Sequence, residues 1–128
     1  MQKAIICVDD EKAILWGLQQ QIKRAFPNRF LLELAESGDE AIGIIHELLS
    51  ENTDAFLVIT DEMMPGMNGR ELIHEINKIS PSTKCILLSG YAAEDVIPSF
   101  FTAQVFKFLK KPWDFDELIE AINLAAEI

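Results

Sequence analysis

Asp9, Asp10, Asp61, Ser89 and Lys111 share a local setting that gives them a common chemistry. Each stands at or just past the end of a short, largely apolar run: 4–8 and 56–60, both rich in β-branched residues, then 84–88 and 105–109. Runs of that kind read as buried strands. Open parallel sheets bind ligands outside the carboxyl ends of their strands. If the first and third strands are neighbours, Asp9, Asp10 and Asp61 crowd one crevice. Like charges at close range raise one another's pKa unless a cation intervenes. A hard divalent ion meets that need, and Mg²⁺ requires only a couple of carboxylates plus waters. The set holds no His or Cys, which argues against zinc. A carboxylate beside Mg²⁺ can attack phosphorus and form an aspartyl phosphate. An ammonium then neutralises the phosphoryl oxygens and a hydroxyl donates to one, roles that suit Lys111 and Ser89. Taken singly, each has a plainer reading. Asp9-Asp10-Glu11 favours a helix N-terminus, Ser89-Gly90 suits a turn, and Lys111 suits a solvated surface.

The elements that must position these residues follow from apolar spacing. Strand 4–8 precedes a helix carrying Ile14, Leu18, Ile22 and Phe26, with Leu15 and Ala25 beside them, stopped by Pro27-Asn28. Segment 30–35 is a less hydrophobic strand interrupted by Glu33, which suits a sheet edge. Ser37 and Glu40 form a capping box for a helix with Ala41, Ile44, Ile45, Leu48 and Leu49 inward. After strand 56–60, Pro65, Gly66, Asn68 and Gly69 mark a tight loop. Asn68 opens a helix with Leu72, Ile73, Ile76 and Ile79, ended by Ser80-Pro81. Segment 92–102 is helical in composition, with Pro98 interrupting it. Asp114 caps a final helix with Leu118, Ile119, Ile122 and Ala125 inward. Strict βα alternation implies an α/β fold with a parallel sheet and helices on both faces.

Composition narrows the function. The chain of 128 residues suits one domain, residues 1–128, with a single sizeable core. Its net charge of −10 argues against direct binding of nucleic acid or anionic lipid. No apolar run approaches the roughly 20 residues of a membrane span. Cys7 and Cys85 lie inside apolar runs and read as small buried hydrophobes in a reducing, cytoplasmic compartment. His46 and His74 read as surface residues. Met63, Met64 and Met67 read as loop packing, and Trp16 falls on the outer face of its helix.

The ordered set Val8-Asp9-Asp10-Glu11, 61–69 (Asp-Glu-Met-Met-Pro-Gly-Met-Asn-Gly), Leu88-Ser89-Gly90-Tyr91 and 108–113 (Phe-Leu-Lys-Lys-Pro-Trp) resembles the receiver domain of two-component response regulators over the whole chain. The resemblance implies a flavodoxin-like (βα)5 fold with strand order 2-1-3-4-5. By that likeness Asp61 is the phosphoacceptor. Asp9, Asp10, Asp61 and the Met63 carbonyl hold Mg²⁺, Ser89 is the switch hydroxyl, Lys111 pairs with the phosphoryl group and Phe108 is the switch aromatic. The implied partners are a histidine kinase or histidine phosphotransfer protein, and an output domain C-terminal in the parent protein. The end at Ala125-Ala126-Glu127-Ile128, without a polar cap, agrees with a domain excised from a longer regulator.

Phe108 departs from the commoner tyrosine, and Pro98 departs by shortening the fourth helix. The likeness implies a cis Lys111-Pro112 bond. It also implies slow loss of phosphate, because Met63 and Tyr91 flank the path of an attacking water. The acidic faces of 92–102 and 114–128 argue against a charged dimer through those helices. Two other functions remain in view: a docking module independent of phosphorylation, and a Mg²⁺-dependent phosphohydrolase. The latter wants an acid two residues after its nucleophile, where Met63 stands.

Overall fold

The computed structural model describes residues 1–90 and 105–127. Tyr91, the segment 92–102 and Pro98 lie outside the described residues, and so do the expectations that rest on them. In chain order the elements are β1 Lys3–Val8, α1 Lys12–Ala25, β2 Leu31–Ala35, α2 Gly38–Ser50, β3 Asp54–Asp61, α3 Gly69–Ile79, β4 Lys84–Ser89, β5 Lys107–Lys110 and α4 Phe115–Glu127. All pairings are parallel and the sheet order is β2-β1-β3-β4-β5, the flavodoxin-like arrangement expected. Among the described residues no helix is long and apolar enough to cross a membrane.

The period-two geometry of a strand deals neighbouring residues onto opposite faces. On β1, Ile5 and Cys7 join one core while Ala4, Ile6 and Val8 join the other. On β4, Ile86 and Leu88 go to the first core, Cys85 and Leu87 to the second. The first core is closed by Leu15, Leu18 and Ile22 of α1 and by Leu118, Ala121 and Ile122 of α4. The second is closed by Ala41 and Ile45 of α2 and by Leu72, Ile73 and Ile76 of α3. Each fully buried Leu or Ile contributes about 1.5–3 kcal/mol, so both faces are strongly held. That burial keeps the central strands in register and fixes where their carboxyl ends stand. Cys7 and Cys85 are free and buried as expected, and burial pushes both thiols up to about 12.

Several local expectations are corrected. Leu49 is 45% exposed while Leu48 beside it is buried, because Leu49 lies about 100° further round α2, at the margin of the face formed by Ala41, Ile45 and Leu48. Phe30 precedes β2 and packs edge-on to Phe26 and tilted against Phe56, at 5.3 and 5.1 Å between ring centroids. β5 begins at Lys107, two residues later than expected. His74 is half-buried on α3 instead of lying on the surface, whereas His46 is exposed. Ser37 caps α2 through Glu40 N–H, but the Glu40 carboxylate accepts from Glu36 N–H at 2.7 Å, one residue early for a capping box. A complete capping box stands instead at Asn68 and Glu71, opening α3. Asp114 accepts from Asp116 and Glu117 N–H and caps α4 as expected.

The start of α3 is pressed against the end of β3. Gly69 N–H donates to the Glu62 carbonyl at 2.9 Å. A Cβ at Gly69 would collide with the Asp61 carbonyl oxygen and come within 2.9 Å of Leu87 Cδ1. Both neighbours are buried, and one is backbone, so the clash cannot be relieved by a side-chain rotation. Gly69→Ala is expected to cost about 1–3 kcal/mol of stability. A denaturant midpoint equal to that of the native protein would contradict this close approach.

Candidate functional site

The reversal of strand order at β1 opens a crevice between β1 and β3, and the acidic residues face it. Asp9 follows β1, and its N–H donates to the Ala35 carbonyl of β2 at 3.1 Å, tying the turn to the sheet. Its Oδ1 accepts from Glu11 N–H at 2.9 Å. Asp9 thus satisfies a donor at the start of α1, where Glu11 makes no side-chain cap. Asp61 is the last residue of β3. Asp9 is wholly buried, Asp61 is 5% exposed and Asp10 faces solvent. One carboxylate oxygen from each of the three lies within 4.8 Å of the others.

Lys111 closes the crevice from the far side. Its backbone N–H donates to the Ser89 carbonyl at 2.7 Å, which extends the β4–β5 pairing by one step. The Lys111-Pro112 peptide is cis, as expected. The Lys111 ammonium donates to Asp61 Oδ1 at 3.1 Å and to Asp9 Oδ2 at 3.4 Å. Burial alone would lower the Lys111 pKa. The bond to Asp61 and the charges of Asp9 and Asp61 outweigh it, and the ammonium is held above its ordinary range. Asp9 is pushed up, chiefly by burial and further by Asp61. Its bond from Glu11 N–H and the charge of Lys111 oppose the shift without cancelling it.

A second polar group adjoins the first, and sequence reasoning missed it. Ser89 is 1% exposed and donates to Glu62 Oε1 at 2.7 Å. The other Glu62 oxygen accepts from Arg70 Nε, also at 2.7 Å. Glu62 and Arg70 are themselves buried. The Arg70 guanidinium lies over the Phe108 ring, 5.6 Å from its centroid. Glu62 stands in a loop and Arg70 in the first turn of α3, so no periodicity couples them. The available signal was a charge directly after a buried strand, with an opposite charge eight positions on.

Met63 separates these inward residues and its side chain is 70% exposed. Packing in the loop falls to Met64, which is buried, and Met67, which packs against the second core. The expectation for Met63 is corrected accordingly: Glu62 and Met64 turn inward, so the residue between them turns out. Trp16 is 64% exposed, on the outer face of α1 as expected.

The response regulator receiver domain model matches residues 5–123. The chain therefore belongs to the receiver domain family of two-component response regulators, which are signalling modules. It is 30% identical over 127 residues to the hydrogenase transcriptional regulatory protein HoxA of Cupriavidus necator, covering 98% of this chain and 24% of HoxA. It is 33% identical over 120 residues to the sensor kinase CckA of Brucella abortus, covering 93% of this chain and 12% of CckA. The chain thus spans a quarter or less of these two relatives. Among solved structures, it is similar to the signal receiver domain of an HD domain-containing protein from Pseudomonas fluorescens, with a TM-score of 0.81, 30% identity, and 99% and 96% of the two chains covered. It is also similar to the response regulator TrrA of Thermotoga maritima in complex with Mg²⁺ and BeF, with a TM-score of 0.79, 29% identity, and 98% and 99% covered.

Asp9 with a raised pKa is an electrostatic cost to the fold. Its ionised form is disfavoured in the native state, so its penalty grows as pH rises from 3.8 through the folded value. Asp9→Asn keeps an oxygen for Glu11 N–H and removes the charge. Without divalent cations it should raise the melting temperature at neutral pH by a few degrees, and the gain should shrink towards pH 4. A variant less stable than the native protein at neutral pH would show that the pairing with Lys111 outweighs burial.

Proposed function

We propose that the chain is a phosphorylation-dependent switch that takes a phosphoryl group from a histidine kinase or histidine phosphotransfer protein onto Asp61. The observation that carries this reading is the seat of the Asp61 carboxylate, in reach of both Asp9 and Asp10 and bonded to Lys111. An Asp61 oxygen attacks the phosphorus of a phosphohistidine. The new O–P bond forms as the N–P bond breaks, and the electron pair leaves with the imidazole. The Lys111 ammonium is placed to pair with an oxygen of the arriving group, and the Ser89 hydroxyl donates a hydrogen bond to another.

The donor set fits a divalent cation. Three carboxylates and one ammonium leave two uncompensated negative charges, which one dication balances. Asp9, Asp10, Asp61 and the Met63 carbonyl would hold Mg²⁺, whose oxygen preference matches them. When bound, it supplies positive charge opposite the phosphoryl oxygens. Phe108 serves as the switch aromatic on β5, already in contact with the Arg70 guanidinium.

The chain acts as one cytoplasmic domain, residues 1–128, and hands its state to an output domain. That output reading is supported by the length of HoxA beyond the matched region. The exposed Met63 side chain argues against a phosphohydrolase, since a thioether cannot transfer a proton at the position where such enzymes use an acid.

Treatment with acetyl phosphate and Mg²⁺ should add one phosphoryl group, detected by intact-protein mass spectrometry. Asp61→Ala should take up none. Labelling of Asp61→Ala at the native rate would refute the assignment.

A further inference from the structure

We infer that Glu62 is a positioning residue that holds the Ser89 hydroxyl as its hydrogen-bond donor, so that a phosphoryl group must win that hydrogen bond from Glu62. The inference rests on the reading of Asp61 as phosphoacceptor and deepens it by naming what opposes the switch.

A serine hydroxyl has one proton to donate. Here it is directed to Glu62 Oε1 at 2.7 Å. A carboxylate paired with a guanidinium accepts hydrogen bonds and offers none, so the proton in this bond belongs to Ser89. A phosphoryl oxygen on Asp61 is likewise an acceptor. Glu62 and the phosphoryl group therefore compete for the same donor, and Ser89 can satisfy only one of them.

Glu62 is built to hold its position. Its backbone N–H donates to the Leu88 carbonyl at 2.9 Å, next to Ser89, and its carbonyl accepts from Gly69 N–H. Its second carboxylate oxygen is occupied by Arg70 Nε at 2.7 Å. With Arg70 in place Glu62 cannot swing away without breaking a buried ion pair, a strongly unfavourable change. The exchange of Ser89 between two acceptors consequently sets a threshold for phosphoryl binding. It sits outside the acidic cluster of Asp9, Asp10 and Asp61.

The test is the affinity for beryllofluoride with Mg²⁺, measured by calorimetry on the whole chain. Hydrogen bonds to a charged acceptor are about twice as strong as neutral ones, so Glu62→Gln should tighten binding by about fivefold to tenfold. In a Ser89→Ala background most of that gain should vanish, because no proton remains to be contested. The comparison removes the general effect of deleting a negative charge, which survives in both backgrounds. If Glu62→Gln folds poorly beside Arg70, the pair Glu62→Leu with Arg70→Met removes both buried charges, a replacement that is often tolerated. It should show the same gain, dependent on Ser89. A native protein that binds beryllofluoride while neither variant binds tighter overturns the role of Glu62 alone, and so does an equal gain with and without Ser89. A native protein that takes up no beryllofluoride overturns the reading of Asp61 and this inference together.

Discussion

The structure depends on how it keeps like charges together at the edge of a hydrophobic sheet. Asp9 is wholly buried and Asp61 nearly so, and their carboxylates lie within 4.8 Å of each other and of Asp10. Coulomb repulsion at that range, in a medium less polar than water, would open the crevice if nothing opposed it. Two forces do. The Lys111 ammonium bridges Asp9 and Asp61. The paired strands beneath cannot separate without exposing Ile, Leu and Val from two cores at once. The site is therefore strained electrostatically and braced mechanically, an arrangement suited to receiving a cation and an anion together.

Bracing also explains the connection between the site and the rest of the molecule. Gly69 lets α3 begin against the Asp61 carbonyl, Glu62 bonds to β4, and Arg70 reaches from α3 to Glu62 and Phe108. Ser89 is thereby joined to α3 and β5 through Glu62, Arg70 and Phe108, without any long relay. The contacts run through short, buried hydrogen bonds and one cation–π contact, groups that resist partial occupancy.

The fold was legible in the sequence because its signals are local and redundant. Apolar runs of strand length alternated with helical stripes, and burial on both faces of a parallel sheet permits little else. Asp9, Asp10, Asp61, Ser89 and Lys111 were legible for the same reason, as polar residues at the ends of apolar runs. Errors fell where tertiary packing decides. Leu49 belongs to the α2 stripe by spacing and is exposed because it lies at the margin of that stripe, where Leu48 takes the inward position. Met63 looked like its neighbours Met64 and Met67 and points outward because the loop alternates.

The sequence by itself determined which residue types reach the carboxyl ends of the strands, since the period of each element follows from its own side chains. Only the tertiary structure decided which of them meet. Glu62, Arg70 and Ser89 come from a loop, a helix and a strand, and their contacts exist because three separate elements converge. Hydrogen bonds form between atoms a few ångströms apart in space, and spacing along a chain carries no record of that distance.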